Sequence, residues 1–314
     1  MLKRQIAVFG ASGKIGSAVT ERLIEAGHDV TSLRHRRDVP EGSRIVDGSV
    51  SDHDAVMKTI GENEIVLQFA TTKGDPEHFL DVAVGGTFRI LDAVRKRGGC
   101  DQFLLAGGDC ALGIWFYRHT SPLTEMSPMR AYPGYYALSK VMEETLVQQY
   151  HHQYGMPFTI LRMGWVHSHE SLLKLFPAGN VAGRQWDHMF RNEMPPDLQK
   201  RADGHGEGFI FTAVDNASGI PIRRTTVSYR DVVSAWELAV GNPLAVGEVF
   251  NVVHPAWDYS AAARLVSDKT GAPAVPVPLD AHSWDMDTTK IRKMLGWTPE
   301  DCPMDMLEKA LDRI

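Results

Sequence analysis

The stretch Ile6 to Gly16, IAVFGASGKIG, constrains this chain more than any other. Ile6, Ala7, Val8 and Phe9 form an apolar run, short enough for a strand buried on both faces. Gly10, Gly13 and Gly16 follow. Ile15, Val19 and Leu23 then recur every four residues, a helical spacing that Gly27 stops. A tight glycine turn between a parallel strand and a helix aims free backbone N–H groups and the positive helix end at one point. A pyrophosphate fits there. Missing side chains at the glycines let ligand and helix approach closely. Ser12, Lys14 and Ile15 come with the turn as candidate cofactor contacts.

Glycine triplets also mark ordinary turns; the strand before this one and the helix after it make it a phosphate site. The spacing is Gly-x-x-Gly-x-x-Gly, one residue longer than the usual dinucleotide fingerprint. It resembles the short-chain dehydrogenase/reductase superfamily.

The strand–helix rhythm continues. His28–Leu33 reads as a second parallel strand, followed by Arg34, Arg36 and Arg37. An acidic residue at this strand end suits a ribose 2′-hydroxyl, whereas Arg34 and Arg37 suit a 2′-phosphate, so NADP is preferred over NAD. Ser43–Val50 reads as a third strand, with Ser49 and Val50 placed to flank the adenine, and Asp54–Ile60 as a short helix. Glu64–Ala70 is a fourth strand ending in Ala70-Thr71-Thr72, where Phe69, Ala70 and Thr71 are candidate ligand contacts. Phe79–Arg97 has a helical pattern, and Phe103–Ala106 is a fifth strand. Phe158–Leu161 is a sixth, followed by Met163 and Val166 as further cofactor candidates. This alternation predicts an α/β fold, a Rossmann-type doubly wound parallel sheet of about seven strands.

From 166 to about Ile222 the rhythm is lost, with short aromatic pieces at Trp186–Phe190 and Phe209–Phe211. Regular elements return at Val227–Val240, Val249–Val253 and Ala261–Thr270, then an extended Ala272–Pro278 and helical pieces broken at Gly296 and Pro299. The expected division is a dinucleotide-binding domain of 1–165 plus 223–253. A small C-terminal substrate-binding annex comprises 166–222 plus 254–314. Composition fits: 314 residues, 43% of them hydrophobic, make one large domain with an annex. A formal charge of −6 gives no basic field for nucleic acid. Three cysteines (Cys100, Cys110, Cys302) show no metal-type pairing, and the chain opens directly on a strand. A cytoplasmic protein with no metal and no membrane span is expected.

Tyr136 and Lys140 stand in YYALSK, after Pro133-Gly134 and at the start of a helical pattern carried by Leu138, Val141, Met142 and Leu146. Residues four apart share one helix face. An ammonium beside a phenol stabilises the phenolate and lowers the tyrosine pKa from about 10. Such a tyrosine can take a proton from a substrate hydroxyl, or return one to a carbonyl, while hydride passes to or from a nicotinamide. The lysine can also reach ribose hydroxyls.

Together these residues resemble the extended short-chain dehydrogenases, the NAD-dependent epimerase/dehydratase family, over nearly the whole chain. Gly10, Gly13 and Gly16 match its cofactor turn, and Tyr136 and Lys140 its catalytic Tyr-x-x-x-Lys. Thr124-Glu125, VSYRDVV (Val227–Val233), Asp287-x-x-Lys290 and Leu295-Gly296-Trp297-Thr298-Pro299 match further family stretches. The resemblance implies an oxidoreductase or epimerase acting on a sugar or sugar nucleotide, and a homodimer. It also implies that an Arg near Arg223-Arg224, taken as Arg224, contacts a substrate diphosphate. The chain departs from the family after the fifth strand, in Ala106-Gly107-Gly108-Asp109-Cys110, where Gly108 replaces the Ser or Thr that holds the substrate hydroxyl. That task falls to Asp109, Cys110, water or the substrate itself, and Asp109 joins the catalytic candidates. The loss also motivates two rivals: a non-catalytic NADP-binding sensor or scaffold, and an aldehyde or ketone reductase on the same fold. His151, His152, His167 and His169 lack metal-ligand spacing, and Cys110 lacks a partner that would make it a nucleophile.

Overall fold

The computed structural model describes residues 3–72, 76–120, 122–176, 210–215, 217–279 and 281–313. Up to residue 163, strands and helices alternate: β1 (Gln5–Phe9), α1 (Lys14–Glu25), β2 (Asp29–Arg34), β3 (Arg44–Asp47), α2 (His53–Ile60), β4 (Ile65–Gln68), α3 (Gly85–Lys96), β5 (Gln102–Gly108), α4 (Tyr135–Tyr154) and β6 (Phe158–Met163). The strands form one parallel sheet in the order β3-β2-β1-β4-β5-β6, extended past β6 by Glu248–Val252 to seven strands. This is the expected Rossmann-type sheet. Its winding reverses between β1 and β4, so a crevice for ligand opens outside their carboxyl ends.

Side chains alternate along β1 as a doubly covered strand requires. Ile6 and Val8 pack into one core with Val19, Leu23 and Trp236, and Ala7 and Phe9 pack into the other with Val56, Ile90 and Phe103. Helix α1 buries Val19 and Leu23, and Gly27, at φ +88°, reverses the chain after it. The elements depart from expectation in detail. β5 runs on to Gly108 because Gly107 and Gly108 still pair with Arg162 and Met163 of β6. The helix expected over 79–97 opens with a π-helical turn, Phe79–Val84, before α3.

A separate apolar core lies apart from the two sheet faces. It joins Leu112, Ile114 and Trp115 from beyond β5 to Leu172–Phe176, Trp257, Tyr259 and Met306–Leu311. Ile210–Asp215 pairs in parallel with Ala274–Leu279, so the extended segment expected at 272–278 is a strand. Trp186–Phe190 and Phe209 lie outside the described residues.

The C-terminal Leu-Gly-Trp segment packs back on the sheet domain. The Trp297 indole donates to the Asp231 carbonyl (3.0 Å), and the Asp231 carboxylate accepts the Glu300 and Asp301 amides at 2.8 and 3.1 Å. Asp287 caps the preceding helix by accepting from the Thr289 amide (2.7 Å). Glu125 is also structural: its carboxylate accepts from the Asn251 amide at 3.0 Å, tying the loop after β5 to the sheet edge.

Candidate active site

The glycine turn has the shape the sequence demands. Gly10 sits at φ +88°, and a Cβ on it would lie 2.5 Å from the Ala70 nitrogen. A Cβ on Gly16 would overlap the Gly10 carbonyl oxygen, and one on Gly13 would lie 3.3 Å from it. Three glycines therefore allow α1 to start against the ends of β1 and β4. Gly13 caps α1 with no side-chain hydrogen bond, and the first turn carries no acidic residue. Its backbone N–H groups are left for an anion, which fits a dinucleotide pyrophosphate. Around the turn, Lys14 is exposed and Ser12 and Ile15 are half-buried. At the end of β4 the Thr71 and Thr72 hydroxyls are buried with no hydrogen-bond partner. Phe69 packs its ring on Trp236, centroids 4.3 Å apart. Val50 and Met163 are buried, and Ser49, Ala70 and Val166 half-buried.

The arginines after β2 stand differently from expectation. Arg34 gives two hydrogen bonds to the Asp47 carboxylate, at 2.7 and 3.2 Å, and lies 3.7 Å from Asp38. Its hydrogen bond from Arg34 holds the Asp47 carboxyl below the ordinary carboxylate range. The guanidinium that was to take a 2′-phosphate already holds an anion, in the bidentate geometry a phosphate would use. Arg37 is exposed.

Tyr136 lies half-buried in the first turn of α4, and the Lys140 ammonium is 5.8 Å from its ring centroid. The ammonium itself points elsewhere. It donates to the Ala106 carbonyl (3.0 Å) and pairs with Glu143 (2.8 Å), with both side chains almost wholly buried. The expected lowering of the phenol pKa is absent. Burial pushes Tyr136 well above its ordinary value, and Cys110, Tyr132, Glu143 and Asp109 act in the same direction. An ammonium held by a carboxylate has little field left for a neighbour. The buried face of α4 also differs from the apolar face read in the sequence. Leu138 is exposed and Val141, Met142 and Leu146 are half-buried, while Ala137, Lys140, Glu143, Glu144 and Val147 turn inward. Glu144 is held by Arg162 at 3.0 to 3.2 Å, and Gly107 leaves room for its carboxylate.

Asp109 follows Gly108 at the end of β5. It is 3% exposed, and its Oδ2 has no hydrogen-bond partner. Burial raises its carboxyl to about 7, against the pull of Arg224 and backbone N–H groups. Arg224 comes from the short strand Arg223–Arg224, which pairs with Trp257–Asp258; it is completely buried, and among the described residues none of its three side-chain nitrogens has a hydrogen-bond partner. Four aromatic rings surround its guanidinium: Trp165 at 4.4 Å, Trp115 at 5.0 Å, Trp257 at 5.6 Å and Tyr259 at 6.0 Å. Burial lowers it to about 10. Cation–π contacts hold the charge, but they leave every N–H donor open to an acceptor that comes with a ligand. The sequence does not reveal the aromatic box because its rings come from three separate segments, around 115, 165 and 257–259. Glu143 and Glu144 went unread because charged residues on a helix are taken as its solvent face.

The family model for the NAD dependent epimerase/dehydratase family matches residues 6–189. UDP-glucose 4-epimerase of Streptomyces lividans is 34% identical over 336 residues, 96% of this chain and 94% of that protein. The Lactobacillus helveticus UDP-glucose 4-epimerase is 26% identical over 321 residues, 94% of this chain and 92% of that protein. Among solved structures, a short-chain dehydrogenase/reductase superfamily protein from Agrobacterium tumefaciens with bound NAD superposes with a TM-score of 0.85 at 26% identity. The match covers 98% of this chain and 96% of that one. The chain therefore belongs to the NAD-dependent epimerase/dehydratase family of the short-chain dehydrogenase/reductase superfamily, and it is an NAD(P)-dependent enzyme.

Proposed function

We propose that the protein oxidises or epimerises a carbinol of an anionic sugar, a sugar nucleotide or sugar acid, with NAD rather than NADP. The single observation that carries this reading is that buried Asp109 and buried Arg224, each with polar atoms lacking a hydrogen-bond partner, lie within electrostatic reach of each other, and Asp109 within reach of Tyr136, where the family has a hydroxyl. Gly10, Gly13 and Gly16, the N-terminus of α1 and the Thr71 and Thr72 hydroxyls would hold the dinucleotide. When bound, its nicotinamide supplies the hydride acceptor and donor. Tyr136 Oη takes the proton from the substrate hydroxyl, or returns it to the carbonyl. Asp109, near neutrality in its titration, orients the reacting oxygen in place of the Ser or Thr missing at Gly108. Arg224 binds the substrate's oxyanion, whose charge and acceptors satisfy an otherwise unpartnered guanidinium. NAD is favoured because Asp47 already holds Arg34, and because the Agrobacterium tumefaciens relative is bound to NAD.

The decisive variant is Tyr136→Phe. Turnover is expected to fall by about 10³-fold or more with NAD affinity unchanged, since a general acid–base is worth about 10²–10⁴. Substrate class is read with NAD and three sets of compounds, neutral sugars, sugar acids and UDP-sugars, by absorbance at the nicotinamide band for oxidation and by proton NMR of the sugar for epimerisation, which leaves no net NADH. Turnover of a neutral sugar equal to that of the anionic ones would remove Arg224 from the reading. Full activity in Tyr136→Phe would remove the mechanism.

A further inference from the structure

We propose that Glu143 is a positioning residue for the acid–base machinery: its buried carboxylate holds the Lys140 ammonium against the Ala106 carbonyl and offsets that ammonium's charge at the Tyr136 phenol. This rests on the reading of Tyr136 as the acid–base. Tyr136, Lys140 and Glu143 lie three or four residues apart on one face of α4, so the three side chains are stacked along the helix. Lys140 Nζ spends two of its three N–H donors, on Ala106 O at 3.0 Å and on Glu143 Oε2 at 2.8 Å. Glu144, the next residue, is fully engaged with Arg162 of β6. Arg162 is therefore taken, and Lys140 is the cation that Glu143 pairs with among the described residues.

The groups facing the phenol come from three further places. Asp109 and Cys110 lie on the turn after β5, and Tyr132 on the loop before α4; Arg224, on the strand Arg223–Arg224, acts on Asp109. Among the described residues, those named as acting on Tyr136 are acidic or neutral, and the Lys140 ammonium lies 5.8 Å from its ring centroid. Whether that cation acts on the tyrosine depends on Glu143. With the carboxylate in place the two charges nearly cancel at the ring, so the tyrosine ionises at a higher pH than a bare lysine neighbour would set. The same contact fixes Nζ below the strand end, so that its remaining donor keeps one direction.

The test is the ionisation of Tyr136 in the NAD-bound enzyme, read as tyrosinate absorbance near ultraviolet 295 nm after subtracting the same titration in a Tyr136→Phe background. Glu143→Gln keeps the shape and an acceptor for Nζ but removes the negative charge. Its Tyr136 titration is expected to move down by about one pH unit or more, with the acid limb of kcat/KM moving the same way. Lys140→Met should move it up. The double variant Lys140→Met with Glu143→Gln leaves neither charge buried, and removing both members of a buried pair is often tolerated. It should return the titration to within about half a unit of wild type. A purely structural role would alter thermal stability without this opposed pair of shifts. The proposal is overturned by an unmoved titration in Glu143→Gln, by a double variant more than about one unit from wild type, or by no tyrosinate below pH ~11 in any variant. Because the absorbance reads ionisation without turnover, an active Tyr136→Phe would defeat the assigned reaction and leave this result standing.

Discussion

Two buried clusters of charge flank Tyr136, and they are built on opposite plans. Under the sheet end, Lys140 pairs with Glu143 and Arg162 with Glu144, at 2.8 to 3.2 Å. On the other side, Arg224 is equally buried, yet among the described residues its nitrogens meet only the faces of aromatic rings, and Asp109 keeps one oxygen without a partner. Burying an ion costs several kcal/mol, repaid by partners or left open for a ligand to repay. Every charge of the first cluster has its counter-ion in the protein, with Glu143 Oε1 the one oxygen left without a hydrogen-bond partner, whereas among the described residues Arg224 of the second has no counter-ion in contact. That difference separates scaffold from binding site more sharply than burial does.

The same substitution at the two arginines should break the likeness between them. Arg162→Met strips Glu144 of its cation and leaves a buried carboxylate unpaired, so a loss of about 3–5 kcal/mol is expected in denaturant unfolding. Arg224→Met removes a charge that has no hydrogen-bond partner and keeps an apolar side chain in the aromatic box. Its stability should change by less than about 1 kcal/mol or rise, while KM for the substrate rises about 10²-fold, as for a lost charged contact. Equal destabilisation of the two would mean that the Arg224 cluster is as self-sufficient as the other.

Asp109 extends the contrast to pH. Its folded carboxyl titrates near 7, well above the ordinary 3.8. Between those values the folded state binds a proton that the unfolded state has released, so stability is fully present below about 3.8 and is lost as pH rises toward 7. About three units at about 1.4 kcal/mol each set a ceiling on the order of 4 kcal/mol. Asp109→Asn should flatten that slope, making the variant the more stable protein at pH 8 when the two are compared by thermal melting at pH 5 and pH 8. A parallel pH dependence in variant and wild type would show the carboxyl to be solvated.

How far each region could be read beforehand follows the same division. The sheet was legible because β1 and β4 to β6 are short, largely apolar runs, and local pattern dictates them. The glycine turn was legible because Gly10 and Gly16 answer a backbone demand that no other residue meets. Tyr136 and Lys140 were found by spacing, but what the lysine does was not. The Lys140 ammonium is committed by Ala106, some thirty positions away, and by Glu143 turned inward. Periodicity put the apolar face of α4 at Leu138 and Leu146, which are exposed and half-buried, because a face buried through ion pairs has no apolar signature. Asp109 and Arg224 were noticed singly; their proximity depends on the loop after β5 and the strand Arg223–Arg224 folding together.

The Arg34–Asp47 pair offers the smallest effect and the finest discrimination. It is an exposed, doubly hydrogen-bonded pair, with side chains 35% and 70% exposed. Such pairs contribute about 0–1 kcal/mol, so Asp47→Ala should hardly change the melting temperature. What it changes is the availability of the guanidinium at the end of β2. Once freed, Arg34 can turn its two-pronged face to a ribose 2′-phosphate, and NADP affinity should rise about three- to tenfold while NAD affinity stays within about twofold. Arg34→Ala should do neither, because in the wild-type protein Asp47 already occupies that face. If wild type binds NADP as tightly as NAD by titration calorimetry, or if Asp47→Ala leaves the ratio unchanged, the pair does not control cofactor choice. The selectivity would then have to reside in Arg36, Arg37 or the backbone around them.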